Sequence, residues 1–364
     1  MDDDILTRVR ELIARSGLTQ QEFASRIRLQ PDKLSKALNG RRQFSSFELA
    51  AIADLAGATV DWLLTGHAPP APAVAARAQV DDAIDADAIE AVARRFAGAH
   101  DQLALLGDER TLPALPVVRP GGSYVRVGDA LATWAHKVLA AEGIHIADLD
   151  QGALIAAVEA HFGVDVAVTE LPQGLDGYAW QTETLRLMIV GQTEYWSRQR
   201  FSIAHELGHL LAHDAQELIA EPVDGHGADY TEKRANAFAA AFLMPEHLLR
   251  AEARDGIDQR SFDGLVARLL VSPISLGWRL LNLELINEPE RQALCRSTAE
   301  RSVLRVGRSD VAQLARERAL AERLPPRLVQ GHLQAFIDGT ASVRPLARLL
   351  GVSPQDALAT YGQQ

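Results

Sequence analysis

Two histidines four residues apart, His205 and His209, enclose Glu206 in the run Arg200-Phe-Ser-Ile-Ala-His205-Glu206-Leu-Gly-His209-Leu-Leu-Ala-His213. The background is apolar and helix-forming. On a helix, positions four apart share a face, so both imidazoles can reach one metal ion. Glu206 sits one step round, where a carboxylate can take a proton from water. Leu207, Leu210 and Leu211 give the same helix a core face, and Gly208 permits close approach of a neighbour on its other side.

Catalytic zinc is held by three protein ligands with one position left open. A third ligand is available in Glu232, 23 residues after His209, within Thr231-Glu232-Lys-Arg-Ala-Asn236-Ala-Phe-Ala-Ala-Ala-Phe-Leu-Met-Pro245. This stretch has the pattern of a second amphipathic helix, with Ala235, Phe238 and Phe242 inward and Pro245 as its stop. Asn236 falls one turn beyond Glu232 and is placed to orient a ligand from behind. The expected cofactor is one zinc ion per chain. His213 lies one further turn along but is not expected to ligate, because the longer HExxHxxGxxH pattern is absent.

The paired motifs, RFSIAHELGHLLAH followed by ExxANAFAAAFLMP, resemble the ImmA/IrrE family of metallopeptidases over roughly residues 150–250. The resemblance implies a minimal, gluzincin-like zincin: a small sheet, an active-site helix and a glutamate ligand on a following helix. It also implies a protein substrate, typically a helix-turn-helix repressor of phage, mobile-element or DNA-damage genes. For the oxyanion of the reaction the sequence offers Tyr195, His226 and Tyr230, without choosing among them. An edge strand at Leu185–Val190, just before the active-site helix, is expected to align the substrate as an added strand.

The elements that carry these residues follow a second unit at the amino terminus. Ile5, Val9, Leu12 and Ile13 space as one amphipathic helix. Thr19-Gln-Gln-Glu22 reads as a capping box opening the next, with Phe23, Ala24 and Ile27 inward. Pro31 opens a third helix and Asn39-Gly40 stops it. Ser46–Ala56 and Val60–Leu64 complete five. GLTQQEFASRI and LQPDKLSKALNGRR resemble the second helix, turn and recognition helix of the XRE (Cro/repressor-like) helix-turn-helix family, which implies binding to double-stranded DNA. Between Arg26 and Arg42 stand six basic residues against the single acid Asp32. Gln30, Asp32, Lys33 and Lys36 are candidate base readers, and Arg41 and Arg42 candidate phosphate contacts.

Composition narrows the rest. A chain of 364 residues with net charge −11 has no global field favouring nucleic acid or membrane, so any DNA contact must be local. The one cysteine, Cys295, excludes an intrachain disulfide and a cysteine-rich metal site. No signal-peptide core follows the acidic start, and no run of 18 apolar residues occurs; a cytoplasmic location without membrane contact is expected. The Pro/Ala segment after His67 reads as a semi-rigid linker, and residues 80–106 as a connector or dimerisation helix, so a homodimer is conceivable.

The expected fold is α+β and mostly helical. It comprises a helix-turn-helix domain at 1–66, linker and connector helix at 67–122, the peptidase domain at 123–250, its helical closure at 251–290 and a helical module at 291–364. Two functions fit: a DNA-binding zinc endopeptidase that regulates genes by cutting a repressor, or a transcriptional regulator whose zinc domain senses a ligand or partner with little proteolysis. An intact Glu206 favours the first.

Overall fold

The computed structural model describes residues 2–56, 58, 62–63, 75–78, 86–108, 110–118, 122–172, 174–214 and 228–362. The chain forms two compact units, Met1–Ala71 and Pro72–Gln364.

The first unit holds α1 (Asp2–Arg15), α2 (Gln20–Arg26), α3 (Pro31–Leu38) and α4 (Ser46–Ala56). Thr19 starts α2 with a complete capping box: its hydroxyl accepts from the Glu22 amide and the Glu22 carboxylate accepts from its own amide. The turn between α2 and α3 passes through Arg28 at φ +54°, a left-handed conformation usually left to glycine. Val9, Phe23, Leu34, Leu38 and Ile52 close a small core. Of the fifth expected helix, Trp62 and Leu63 are helical and Leu63 joins this core; its remaining residues, other than these two, lie outside the described ones.

The second unit begins with β1 (Ala75–Ala78) and α5 (Ala86–Leu105), then α6 (Tyr124–Ala140) and α7 (Gln151–Phe162). Asp150 caps α7, accepting from the Ala153 amide. Strands β2 (Asp165–Thr169), β3 (Leu175–Gln181) and β4 (Arg186–Gly191) follow, and then α8 (Trp196–Leu211) and α9 (Ala228–Leu243). The sheet order is β1-β3-β4-β2. β2 runs parallel to β4, with Val166 opposite Met188; β3 runs antiparallel to β4, with Tyr178 opposite Ile189. The expected substrate-aligning edge at Leu185–Val190 is therefore an interior strand: β4 has β3 on one side and β2 on the other. The tight turn at Glu183–Thr184 joins β3 to β4 as a hairpin.

All three longer strands are buried on both faces, which is why they read as apolar runs rather than as alternating ones. One face, with Val166, Val168, Ala179, Met188 and Val190, packs on Ile203, Leu207 and Leu211 of α8. The other face, with Ala167, Tyr178, Trp180, Leu187 and Ile189, is covered by Phe96 and Leu103 of α5 and by Leu328 and Leu349 from the end of the chain.

The remaining helices are α10 (Glu246–Glu252), α11 (Gln259–Leu269), α12 (Pro273–Asn282), α13 (Glu288–Leu294), α14 (Ala299–Arg305), α15 (Ser309–Leu320), α16 (Pro326–Ile337), α17 (Arg344–Leu350) and α18 (Pro354–Tyr361). Just before α16, Arg323 pairs its backbone with Val168 at the free side of β2 and its guanidinium with Glu159. Arg327 adds an ion pair to the buried Asp165 at 3.0 Å. The expected connector helix and the carboxy-terminal helices thus share a core with the sheet. Among the described residues, no single helix is long and apolar enough to cross a membrane.

Candidate metal centre

Helix α8 brings its chemistry to the sheet by burying nearly all of itself. His205, Glu206 and His209 are each 2 % exposed or less. Arg200, one turn and a half earlier, is also buried and holds the helix by donating to Leu149 O at 2.8 Å. Burial pulls its pKa down to about 10, still far above neutrality.

Helix α9 packs on α8 across Gly208, where a side chain would begin 2.9 Å from Cδ1 of Phe238. That close approach puts Glu232 opposite the two histidines. Its carboxylate oxygens lie 3.3 Å from His205 Nε2 and 3.2 Å from His209 Nε2, and the two Nε2 atoms are 3.0 Å apart. Among the described residues, His205, His209 and Glu232 form a metal-ligand group whose donor atoms all fall within 4.8 Å of one another. Two imidazoles and a carboxylate are the donor set that zinc takes in open sites.

Both imidazoles are fixed from behind. His205 Nδ1 donates to Asn236 Oδ1 at 3.1 Å, and His209 Nδ1 donates to Asp214 Oδ2 at 3.0 Å. Each Nε2 is thereby left to face Glu232. Burial pulls His209 down, but its bonds with Asp214 and Glu232, helped by the charge of Glu206, hold its pKa up at about 10. Burial pushes the Glu232 carboxyl up, yet the bonds from His205 and His209 outweigh it and hold it well below the usual carboxylate range.

Glu206 lies against β3. A side chain at Gly177 would begin 3.4 Å from Glu206 Cγ, an ordinary contact, and 3.0 Å from Ile189 O, a tight one, so Glu206 packs directly on this strand. His213, one turn beyond His209, is not part of the three-ligand group. It adopts φ +62° and ends the helix.

The three oxyanion candidates part company. Tyr195 is the residue before α8, 62 % exposed and ten residues ahead of His205, which is roughly 15 Å along a helix. Tyr230 is on α9 beside the ligand Glu232; its hydroxyl donates to Gly122 O at 3.3 Å and its ring meets Tyr124 edge-on. His226 lies outside the described residues. Sequence reading missed Asp214 and its ion-pair partner Arg234. The available signal was a carboxylate just past the end of the HExxH helix.

In the first unit, Gln30, Asp32, Lys33, Lys36 and Arg41 are all exposed on or beside α3. Lys36 and Asp32 form an i,i+4 ion pair at 2.7 Å. Arg42 is less free than expected: it pairs with Glu48 at 2.6 Å and donates to Lys33 O at 3.0 Å.

Residues 159–281 match a peptidase family model described as the IrrE N-terminal-like domain, and residues 5–65 match a model described as a helix-turn-helix domain. The chain is 29 % identical over 176 residues to the radiation response metalloprotease IrrE of Deinococcus radiodurans. That alignment covers 46 % of this chain and 51 % of the relative, so the chain spans about half of the relative's length. The chain thus carries a helix-turn-helix domain followed by an IrrE-like metallopeptidase domain, as the two sequence resemblances implied.

Proposed function

We propose that this chain is a zinc-dependent endopeptidase that regulates gene expression, its helix-turn-helix unit binding duplex DNA and its metal centre cutting a DNA-binding repressor at one site. The observation that carries the reading is the convergence of His205, His209 and Glu232 from two helices, with Glu206 buried next to them against β3. A metal-binding sensor needs the three ligands; it does not need the carboxylate at 206. The name of the relative, a radiation response metalloprotease, supports a stress-linked role.

Zinc, when bound, supplies Lewis acidity for the scissile carbonyl and lowers the pKa of water at the site. Glu206 accepts the proton of the attacking water and passes it to the leaving amine. Asn236 holds the His205 ring so that Nε2 faces Glu232. Gly177 of β3 lies against Glu206 on the sheet side of the site. Glu232, whose side chain is 34 % exposed, marks the side from which a peptide arrives.

The test is direct. Zinc-loaded protein is incubated with repressors encoded near its own gene, beside a Glu206→Gln control. One discrete cleavage, lost in the control, is expected. Zinc-loaded protein that cuts none of them, and no unfolded peptide either, removes the peptidase reading and leaves the sensor.

A further inference from the structure

The two histidines are oriented by different chemistry. His205 meets a neutral amide, Asn236. His209 meets a carboxylate, Asp214, whose side chain is only 12 % exposed. The chain makes an effort to bring that carboxylate back. Helix α8 ends at Leu211, and His213 then takes the left-handed conformation at φ +62°. For a residue with a Cβ this conformation is strained. The reversal returns Asp214 to the helix it has just left, five residues after His209.

Asp214 is also gripped from the other side. Its Oδ2 accepts from His209, and its Oδ1 accepts from Nη2 of Arg234. Arg234 is 7 % exposed, stands on α9 two residues after Glu232, and lies with its guanidinium 5.6 Å from the Tyr230 ring centre. One helix therefore supplies both the third ligand and the cation that restrains the partner of the second. The guanidinium offsets the charge of Asp214 in a site that already holds Glu206 and Glu232. Without it, a third carboxylate there would be costly to bury.

We propose that Asp214, braced by Arg234, is the positioning residue for His209. It fixes the Nδ1–H tautomer, aims Nε2 at the space beside Glu232, and makes His209 the more strongly donating of the two imidazoles. The proposal rests on the reading of this site as a metal centre. His213 enters only as the reversal that makes the contact possible.

Zinc affinity of the full-length chain is measured by competition with a chromophoric chelator. Asp214→Ala is expected to lose about 10–100-fold in affinity. Asp214→Asn keeps an acceptor but loses the charge and turns an amide toward Arg234; a loss of roughly tenfold is expected. In zinc-loaded protein, the buried imidazole Nδ1–H resonance of His209 should be present in the parent and absent in Asp214→Ala. A purely structural role would lower the melting temperature while leaving both readings in place. Affinity within twofold of the parent in folded Asp214→Ala overturns the proposal. Should that variant not fold, the same result in Asp214→Asn overturns it. His205→Ala separates the two levels: zinc retained there removes the metal centre itself, whereas zinc lost there but kept in Asp214→Ala removes only this assignment.

Discussion

Gly208 lies directly against the ring of Phe238. A methyl group at 208 would begin 2.9 Å from the ring Cδ1 and 3.3 Å from Cα of Ala235. The ring cannot swing away, because Phe238 is wholly buried and stacks on Phe242 with centroids 5.3 Å apart. Gly208 stands between the two histidines of α8, so any added bulk must push Glu232 away from both. Gly208→Ala is expected to destabilise the protein by about 1–3 kcal/mol, the usual cost of overpacking, and to weaken zinc binding together with it. Combining it with Phe238→Leu should restore part of both. Thermal unfolding and metal titration check this; an alanine variant with unchanged zinc affinity would show that the helix spacing does not set the site.

The ligand set makes a second prediction. Purified protein should carry about one zinc per chain, since one three-ligand group is present among the described residues. His205→Ala and Glu232→Ala should each lose most of it. Glu206→Gln should keep the metal and the fold while losing about 10²–10⁴-fold in turnover, the range of a general base. Metal analysis beside a peptide assay separates the roles. Full zinc in His205→Ala would contradict the ligand assignment.

Much of this site was legible because its key residues are close in sequence and helical. HExxH fixes a face by spacing alone, and Glu232 and Asn236 share a second helix by the same rule. The strand expected at Leu185–Val190 is β4, one residue displaced at each end. What escaped depends on tertiary return. Asp214 reaches His209 only because His213 reverses the chain, and no local pattern forecasts a left-handed histidine. The place of β4 inside the sheet was misjudged because a strand buried on both faces looks the same at an edge or in the middle. The packing of α5 on the sheet was hidden likewise: Phe96 and Leu103 mark an apolar face without naming what it meets.

The helix-turn-helix unit carries a graded expectation. Arg41 is exposed and Arg42 is already paired with Glu48. Arg41→Ala should weaken duplex binding across sequences and lower the slope of log affinity against log salt by about one, if it neutralises a single phosphate. Arg42→Ala should instead act mainly through stability, by freeing Glu48. Lys33→Ala should alter sequence preference. Fluorescence anisotropy with specific and scrambled duplexes at several salt concentrations reads all three. An unchanged slope in Arg41→Ala would remove it from the phosphate contacts.

Three histidines away from the metal ligands set a pH dependence. Burial lowers the pKa of His100, His136 and His332; Arg327 adds to it at His100, whose Nδ1 faces that guanidinium at 2.9 Å. His332 Nε2 donates to Ala99 O at 2.9 Å and is buried beneath α5. In the unfolded chain these imidazoles take up protons near pH 6.5. The folded chain resists, so the unfolded state binds more protons below that pH and stability falls as acid is added. The contribution is complete above about pH 6.5 and is lost on the way down towards each lowered pKa. In metal-free protein His209 works the other way, since its pKa is raised to about 10: its contribution is complete below about pH 6.5 and is lost as pH climbs towards 10. The interval from pH 6.5 to 5.5 therefore isolates the three buried rings. Denaturant unfolding of metal-free protein should show stability dropping across that interval. His332→Gln, which can still donate to Ala99 O, should flatten the drop. An equal drop in that variant would mean His332 titrates freely in the folded chain.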